Sequence, residues 1–289
     1  MTVTLADELV LRCPHCGAAL RRAGPTWRCD DGHSFDVARQ GYVNLLVGRR
    51  HATGDTAPMI AARERVLAAG HLDVVTQALV DACRDLPDGV LVEVGAGTAH
   101  HLVAVRRALG ERAAVATDVS VAAAKRAGRA DPAHTVAVVA DVWQTWPLPD
   151  AGAAAVLTVF APRNGEEAAR VLVPGGRLVV VTPAADHLGE LRDPLGLLRI
   201  EPGKEERLHA ELGPHLDHLD TREVRATITV DPVDASALAA MGPAGHHLDA
   251  DDLAARAATL ADTTQVTVAV HVTRFVAAPR PGAPPARAG

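Results

Sequence analysis

Three cysteines and one histidine near the N-terminus follow the spacing Cys13-x2-Cys16-x12-Cys29-x3-His33. Two closely spaced pairs of soft ligands, each on its own turn, can close a tetrahedron around Zn2+. Four protein ligands fill that shell, so no position stays open for a reacting water and the metal would be structural. Its binding would help to fold about forty residues that lack a core of their own. His15, between two ligands, is expected to face solvent. Cys83, far from the others, reads as a small buried hydrophobe.

A second chemistry lies in Glu93-Val94-Gly95-Ala96-Gly97, which runs on into Thr98-Ala99-His100. A dinucleotide-binding turn needs a small residue at its sixth position, so that the helix can hug the strand beneath a pyrophosphate. His100 stands there and is bulky. The run fits instead the acid-x-Gly-x-Gly turn of S-adenosylmethionine (AdoMet) enzymes, where the backbone approaches an uncharged ribose and a methionine tail. Glu93, Gly95 and Gly97 are therefore cofactor-site candidates. Asp118 and Asp141 join them: each ends a following strand, the first placed for ribose hydroxyls and the second for an adenine amino group. The stretch from Arg170 to Leu178, with Pro174-Gly175-Gly176 at its centre, resembles the helix-turn-strand signature of class I methyltransferases.

These residues need a scaffold, and the pattern supplies one. Short strands over 91–94, 115–117, 136–139, 155–159 and 178–181 are apolar on both faces and alternate with helical stretches. That arrangement means a parallel sheet covered on both sides, with ligands beyond the carboxyl ends of its strands. Residues 224–231 and 265–275 alternate and are β-branched, which suits an antiparallel hairpin closing the sheet edge. Helices are expected near 57–69 and 72–85, with Gly70 as a C-cap between them. The fold class is α/β: a class I, Rossmann-like AdoMet methyltransferase sheet with a small N-terminal zinc-binding module. The expected division is 1–40 zinc-binding module, 41–88 helical connector, 89–278 methyltransferase domain and 279–289 disordered tail, the last being rich in Pro and Gly.

Bulk properties narrow the function. The chain has 289 residues, 48% of them hydrophobic, and a net charge of −6, which argues against a protein that coats nucleic acid without selectivity. Residues 1–52 nevertheless carry a net charge of +2, all of it from arginine. No apolar run reaches the roughly 18 residues of a membrane span, and no secretory leader is evident, so a cytoplasmic protein is expected.

Beyond these motifs, the order Cys-Pro-x-Cys, Cys-x3-His-x-Phe-Asp, Gly41-Tyr42-Val43-Asn44-Leu45-Leu46 and Phe160-Ala161-Pro162-Arg163-Asn164 resembles the bacterial 23S rRNA guanine-N1 methyltransferases. The likeness is strongest to their tylosin-resistance branch and spans roughly residues 12–275. It implies methylation of guanine N1 in a 23S rRNA hairpin, at guanine 748 rather than guanine 745, with tylosin-type macrolide resistance as the outcome. It also implies that Cys13, Cys16, Cys29 and His33 hold zinc in a module gripping the RNA. AdoMet contacts would come from Gly97, Thr98, His187 and position 72. Some relatives carry an aromatic residue at that last position, where this chain has Leu72. The third glycine of the relatives' turn is Ala99 here, a departure that a slightly wider turn would absorb. A homodimer is compatible with one hairpin needing two gripping modules.

Methyl transfer to guanine N1 requires alignment of the acceptor and removal of its proton. Phe160 stands where a flipped base could stack, and it is a catalytic-site candidate together with Asp141. Proton acceptors could be His100, His101, Asp141 or His187. No cysteine follows Cys83, which disfavours a covalent cysteine mechanism. His246 and His247 read as surface residues. Two other readings stay open: a small-molecule AdoMet methyltransferase with a purely structural zinc module, and a non-catalytic rRNA-binding protein with a vestigial pocket.

Overall fold

A computed structural model describes residues 4–48, 53–199 and 203–278. The expected tail over 279–289 lies outside them, as do residues 49–52.

The chain opens with one helical turn, α1 (Leu5–Glu8), closed by a Thr4/Asp7 capping box. Four short strands follow: β1 (Val10–Arg12), β2 (Ala19–Ala23), β3 (Thr26–Cys29) and β4 (Ser34–Asp36). They pair antiparallel in that order as a small ribbon. Alternation along the ribbon sends Leu11, Leu20 and Trp27 inward, all nearly inaccessible to solvent. These residues belong to the same apolar cluster as Val92, Val115, Val136 and Val180 of the large sheet. The ribbon is therefore roofed by the sheet and has no separate core. Backbone hydrogen bonds from Arg12 N–H to the Pro147 carbonyl (3.1 Å) and from Ala6 N–H to the Ala133 carbonyl (3.2 Å) fix the docking.

Next come β5 (Tyr42–Asn44), α2 (Ala57–Ala68) and α3 (Asp73–Ala82). The segment 41–46, read from sequence only as the start of a connector, contributes β5 as an edge strand of the main sheet. From there strands and helices alternate: β6 (Val90–Val94), α4 (His100–Leu109), β7 (Ala114–Asp118), α5 (Val121–Ala130), β8 (Thr135–Val139), β9 (Ala153–Val159), α6 (Gly165–Val171) and β10 (Leu172–Pro183). Residues 174–176 do not end an element. They form an irregularity inside β10, whose register against β9 shifts between Leu172 and Arg177. After α7 (Gly189–Leu195) and α8 (Lys204–Leu212), the long β11 (Asp217–Val230) is separated from β12 (Thr264–Val276) by α9 (Pro232–Ala240) and α10 (Ala250–Ala257).

The eight-stranded sheet runs β11-β12-β10-β9-β6-β7-β8-β5. Strands β10 to β5 in this order are parallel; β12 is antiparallel to β10, and β11 to β12, which gives the expected closing pair at the edge. The chain winds from β6 through β7 to β8 on one side and returns as β9 and β10 on the other. The loop after β6 thus sits at the point where strand order reverses, the place such sheets use for ligands.

Candidate active site and metal centre

At the metal candidate, the ribbon brings the ligand atoms of Cys13, Cys16, Cys29 and His33 to within 4.8 Å of one another. Zinc–ligand bonds of about 2.3 Å to sulfur and about 2.0–2.1 Å to nitrogen would place tetrahedral corners about 3.8 Å (S···S) and about 3.6 Å (S···N) apart. The Cys16–Cys29 sulfurs are 3.7 Å apart, and Cys29 Sγ lies 3.4 Å from His33 Nδ1. The donor set and its edges fit a closed Zn2+ site. Exposed His15 stacks at 4.9 Å on the His33 ring and reaches Phe35 as well, so it shields a candidate ligand. Cys83 is fully buried, and burial pushes its thiol up to about 12.

In the glycine turn, Gly95 and Gly97 adopt φ of +68° and +54°, the left-handed region open to glycine. At Gly95 a Cβ would stand 2.5 Å from the Ala161 side chain, so the loop after β9 closes directly onto the turn. Ala99 takes φ +61°, a conformation that costs an L-residue about 1–2 kcal/mol, and it leads straight into α4. Phe160 is also left-handed at φ +54°. Such strain gathers where a site dictates the backbone.

The carboxylates are spoken for locally. Glu93 is buried at 1% exposure and accepts the Leu102 N–H (3.1 Å), satisfying an open donor in the first turn of α4. Burial drives its acid up to about 8. Asp118 accepts from the Gly97 N–H at 2.9 Å and the Ser120 N–H at 2.8 Å. Burial raises its pKa despite those two donors. It therefore fastens the turn to the end of β7, with one lone pair on each oxygen engaged.

Leu72, Glu93, Gly95, Thr98, His100 and Phe160 line one small pocket of about 20 Å3, together with Arg63. That volume admits about one water. His187 stands against Phe160, ring centres 5.5 Å apart. Its Nδ1 accepts the Ala269 N–H at 3.3 Å, and burial pulls its pKa down to about 4. The neutral ring thus carries its proton on Nε2 and donates rather than accepts. His101 is buried, with Nδ1 2.9 Å from the Thr76 hydroxyl and its pKa pulled down to about 3 by burial. Half-buried His100 lines the pocket, and burial lowers its pKa too.

Asp141 lies elsewhere. It is buried at the end of β8, accepts the Trp143 N–H at 3.0 Å, and lines a second cavity of about 480 Å3. The opposite wall of that cavity is the metal loop, with Arg12, Cys13 and Cys16, so ribbon and sheet share one cleft. Trp143, beside it, is 52% exposed. His246 and His247 are exposed.

Sequence reasoning missed three residues. Arg63 on α2 reaches over the turn; Asp55 pairs with it; Trp143 is a solvent-facing aromatic whose N–H is held by Asp141. Only Trp143 left a signal, as a tryptophan two residues after a strand-end acid.

Comparison with known proteins follows this geometry. The family model described as "RlmA, N-terminal", a zinc ribbon, matches residues 11–51. A 23S rRNA (guanine(748)-N(1))-methyltransferase of Streptomyces fradiae is 46% identical over 268 residues, covering 91% of this chain and 95% of that protein. A Micromonospora griseorubida protein, provisionally named a 23S rRNA (guanine-N(1)-)-methyltransferase, is 46% identical over 92% of this chain and 96% of its own. Among solved structures, the YcgJ protein of Bacillus subtilis aligns with TM-score 0.50 at 14% identity, covering 71% of this chain and 98% of that one, a likeness of fold.

Proposed function

This chain belongs to the 23S rRNA (guanine-N1)-methyltransferase family, and on that premise we propose that it methylates N1 of a 23S rRNA guanine, at the position of guanine 748. The observation that carries the reading is 46% identity across nine-tenths of the chain, which includes the ribbon as well as the sheet. Tylosin-type macrolide resistance is the cellular outcome proposed with it, and the cytoplasm is the compartment where rRNA would be met.

AdoMet, when bound, supplies an electrophilic methyl group, so the protein has only to hold, align and exclude water. Gly95 and Gly97 let the backbone approach the cofactor, and Asp118 is proposed to hold the ribose. Leu72, Thr98 and His187 complete the pocket wall, while Glu93 holds α4 in place behind it. Asp141 is proposed for the adenine edge, reached from the side of the shared cleft. Phe160 is the proposed stacking surface for the flipped guanine. With His187 presenting an N–H and His101 buried, half-buried His100 is the histidine proposed to receive the N1 proton.

Zinc held by Cys13, Cys16, Cys29 and His33 is proposed to fix the ribbon, not to react. The ribbon's outward face supports an RNA partner. Arg21 and Arg28 are directly opposed on β2 and β3, both exposed, and neither has an acidic partner among the described residues. Like charges placed opposite each other destabilise a sheet unless an anion sits between them. Phosphates would be that anion. The domain limits proposed are those of the sequence reading, with β5 counted in the sheet, and a homodimer, measurable by sedimentation, belongs to the same proposal.

The test is incubation of 23S rRNA from an unmethylated host with labelled AdoMet, followed by mapping of the modified base. Label at N1 of guanine 748 is expected. No label on any large-subunit guanine would sink the reading.

A further inference from the structure

Arg63 is placed as few surface arginines are. Its stem crosses the glycine turn, with Cδ 3.1 Å from where a Cβ on Gly97 would lie. One guanidinium nitrogen, Nη2, donates to the Asp55 carboxylate at 2.7 Å and to the Met241 carbonyl at 3.0 Å. The Nε–H is buried and has no hydrogen-bond partner. Leaving a charged donor unmet in the interior is costly, and a guanidinium is built to engage a carboxylate with two parallel N–H groups. Asp55 satisfies only one.

Asp55 is itself held at this spot by its backbone. The Ser120 hydroxyl donates to the Asp55 carbonyl at 2.6 Å. A Cβ on Gly54 would be 2.9 Å from the Ser120 backbone, so the loop presses on the N-cap of α5. Asp55 thus stands on one side of Arg63 and Ser120, and Asp118, whose carboxylate holds the Gly97 and Ser120 N–H groups, stands on the other. The pocket beneath Arg63 is closed to about 20 Å3, far too small for a nucleoside bearing an amino-acid tail.

The turn has a direction. With Asp118 proposed to hold the ribose beside Gly97, the amino-acid tail would run on beneath Arg63, whose stem crosses the same turn. We propose that Arg63 is the receptor for the α-carboxylate of AdoMet, and that Asp55 occupies this receptor until the cofactor's carboxylate displaces it. Binding is thus an exchange of one carboxylate for another: Nη2 changes partner and Nε gains one. The inference rests on the glycine turn being the AdoMet site.

Calorimetric titration of the full zinc-loaded chain separates the possibilities with three probes: S-adenosylhomocysteine, its decarboxylated analogue and 5′-methylthioadenosine. The wild type should favour S-adenosylhomocysteine over the decarboxylated analogue by about 100-fold, as expected where a buried charged pair loses one member. In Arg63→Met that preference should collapse to about twofold, with binding of the two carboxylate-free probes unchanged. Arg63→Lys, which keeps the charge and loses the fork, should fall between them. Asp55→Asn should tighten S-adenosylhomocysteine severalfold and leave 5′-methylthioadenosine alone.

Equal weakening of all three probes in Arg63→Met would mean that the arginine only supports the fold, and would overturn the proposal. So would a wild type indifferent to the carboxylate. Weaker S-adenosylhomocysteine binding in Asp55→Asn would overturn the exchange. Failure of the wild type to bind any of the three would remove the AdoMet site itself, a separate outcome.

Discussion

Replacing Glu93 by glutamine should flatten the pH dependence of stability between pH 5 and 8. Glu93 lies wholly inside the protein at the end of β6, and burial raises its pKa from 4.5 to about 8. Its single close donor is the Leu102 N–H. Between those two values the unfolded chain releases this proton and the folded chain retains it. Stability is therefore fully present below pH 4.5, falls as the pH rises, and levels off above about 8. At about 1.4 kcal/mol per tenfold, the loss is about 1 kcal/mol at pH 5, about 3 at pH 7 and about 5 above pH 8. Glutamine keeps an acceptor for Leu102 and has no proton to lose. Urea unfolding of both proteins at half-unit pH steps measures the difference, in which all other titrating groups cancel. The variant should gain on the wild type by about 2 kcal/mol between pH 5 and pH 7. Parallel curves would mean that Glu93 ionises freely in the folded state, and the burial argument would fail.

Four further outcomes are expected. Cys29→Ser should lose the roughly one zinc per chain found by elemental analysis in the wild type, and should melt at a lower temperature in proportion. Gly95→Ala should lose about 2–3 kcal/mol of stability in denaturant titration, since it meets both a left-handed φ and the Ala161 methyl; a neutral result would mean the loop after β9 is free to retreat. Arg21→Glu with Arg28→Glu should weaken rRNA binding and reduce its salt dependence by about one log-log unit per arginine. S-adenosylhomocysteine affinity should not change in that variant. Trp143→Ala should lower kcat/KM on rRNA by about tenfold or more through lost base stacking, with the melting temperature held; unchanged kinetics would remove it from the RNA path.

What could be read from the sequence was local. The four metal ligands sit on two turns of known spacing, and the strands of a parallel sheet declare themselves by being apolar throughout. Glu93, Gly95, Gly97 and Asp118 follow from strand ends. What escaped depends on contacts far apart in the chain. Arg63 is an ordinary helix residue until α2 is laid over a turn thirty-odd positions later, and Asp55 gains meaning only by pairing with it. The edge strand β5 is three residues long and needs β8 to be recognisable. Ala99 shows the limit differently. An alanine in place of a glycine gives no sign in the sequence that its backbone is left-handed, which the structure shows at φ +61°. Asp141 ends a strand as expected, yet the cavity it lines opens toward the metal loop, because the ribbon docks there.

The docking of the ribbon has a cellular consequence. Trp27, Leu11 and Leu20 are interior residues of the same cluster that holds up the sheet. A ribbon without metal would expose them and uncover the sheet beneath, so the damage would not stay in one module. Cells starved of zinc should then clear this protein by proteolysis, while each surviving molecule works at full speed. Zinc supply would govern how many copies exist, and AdoMet how fast each one turns over.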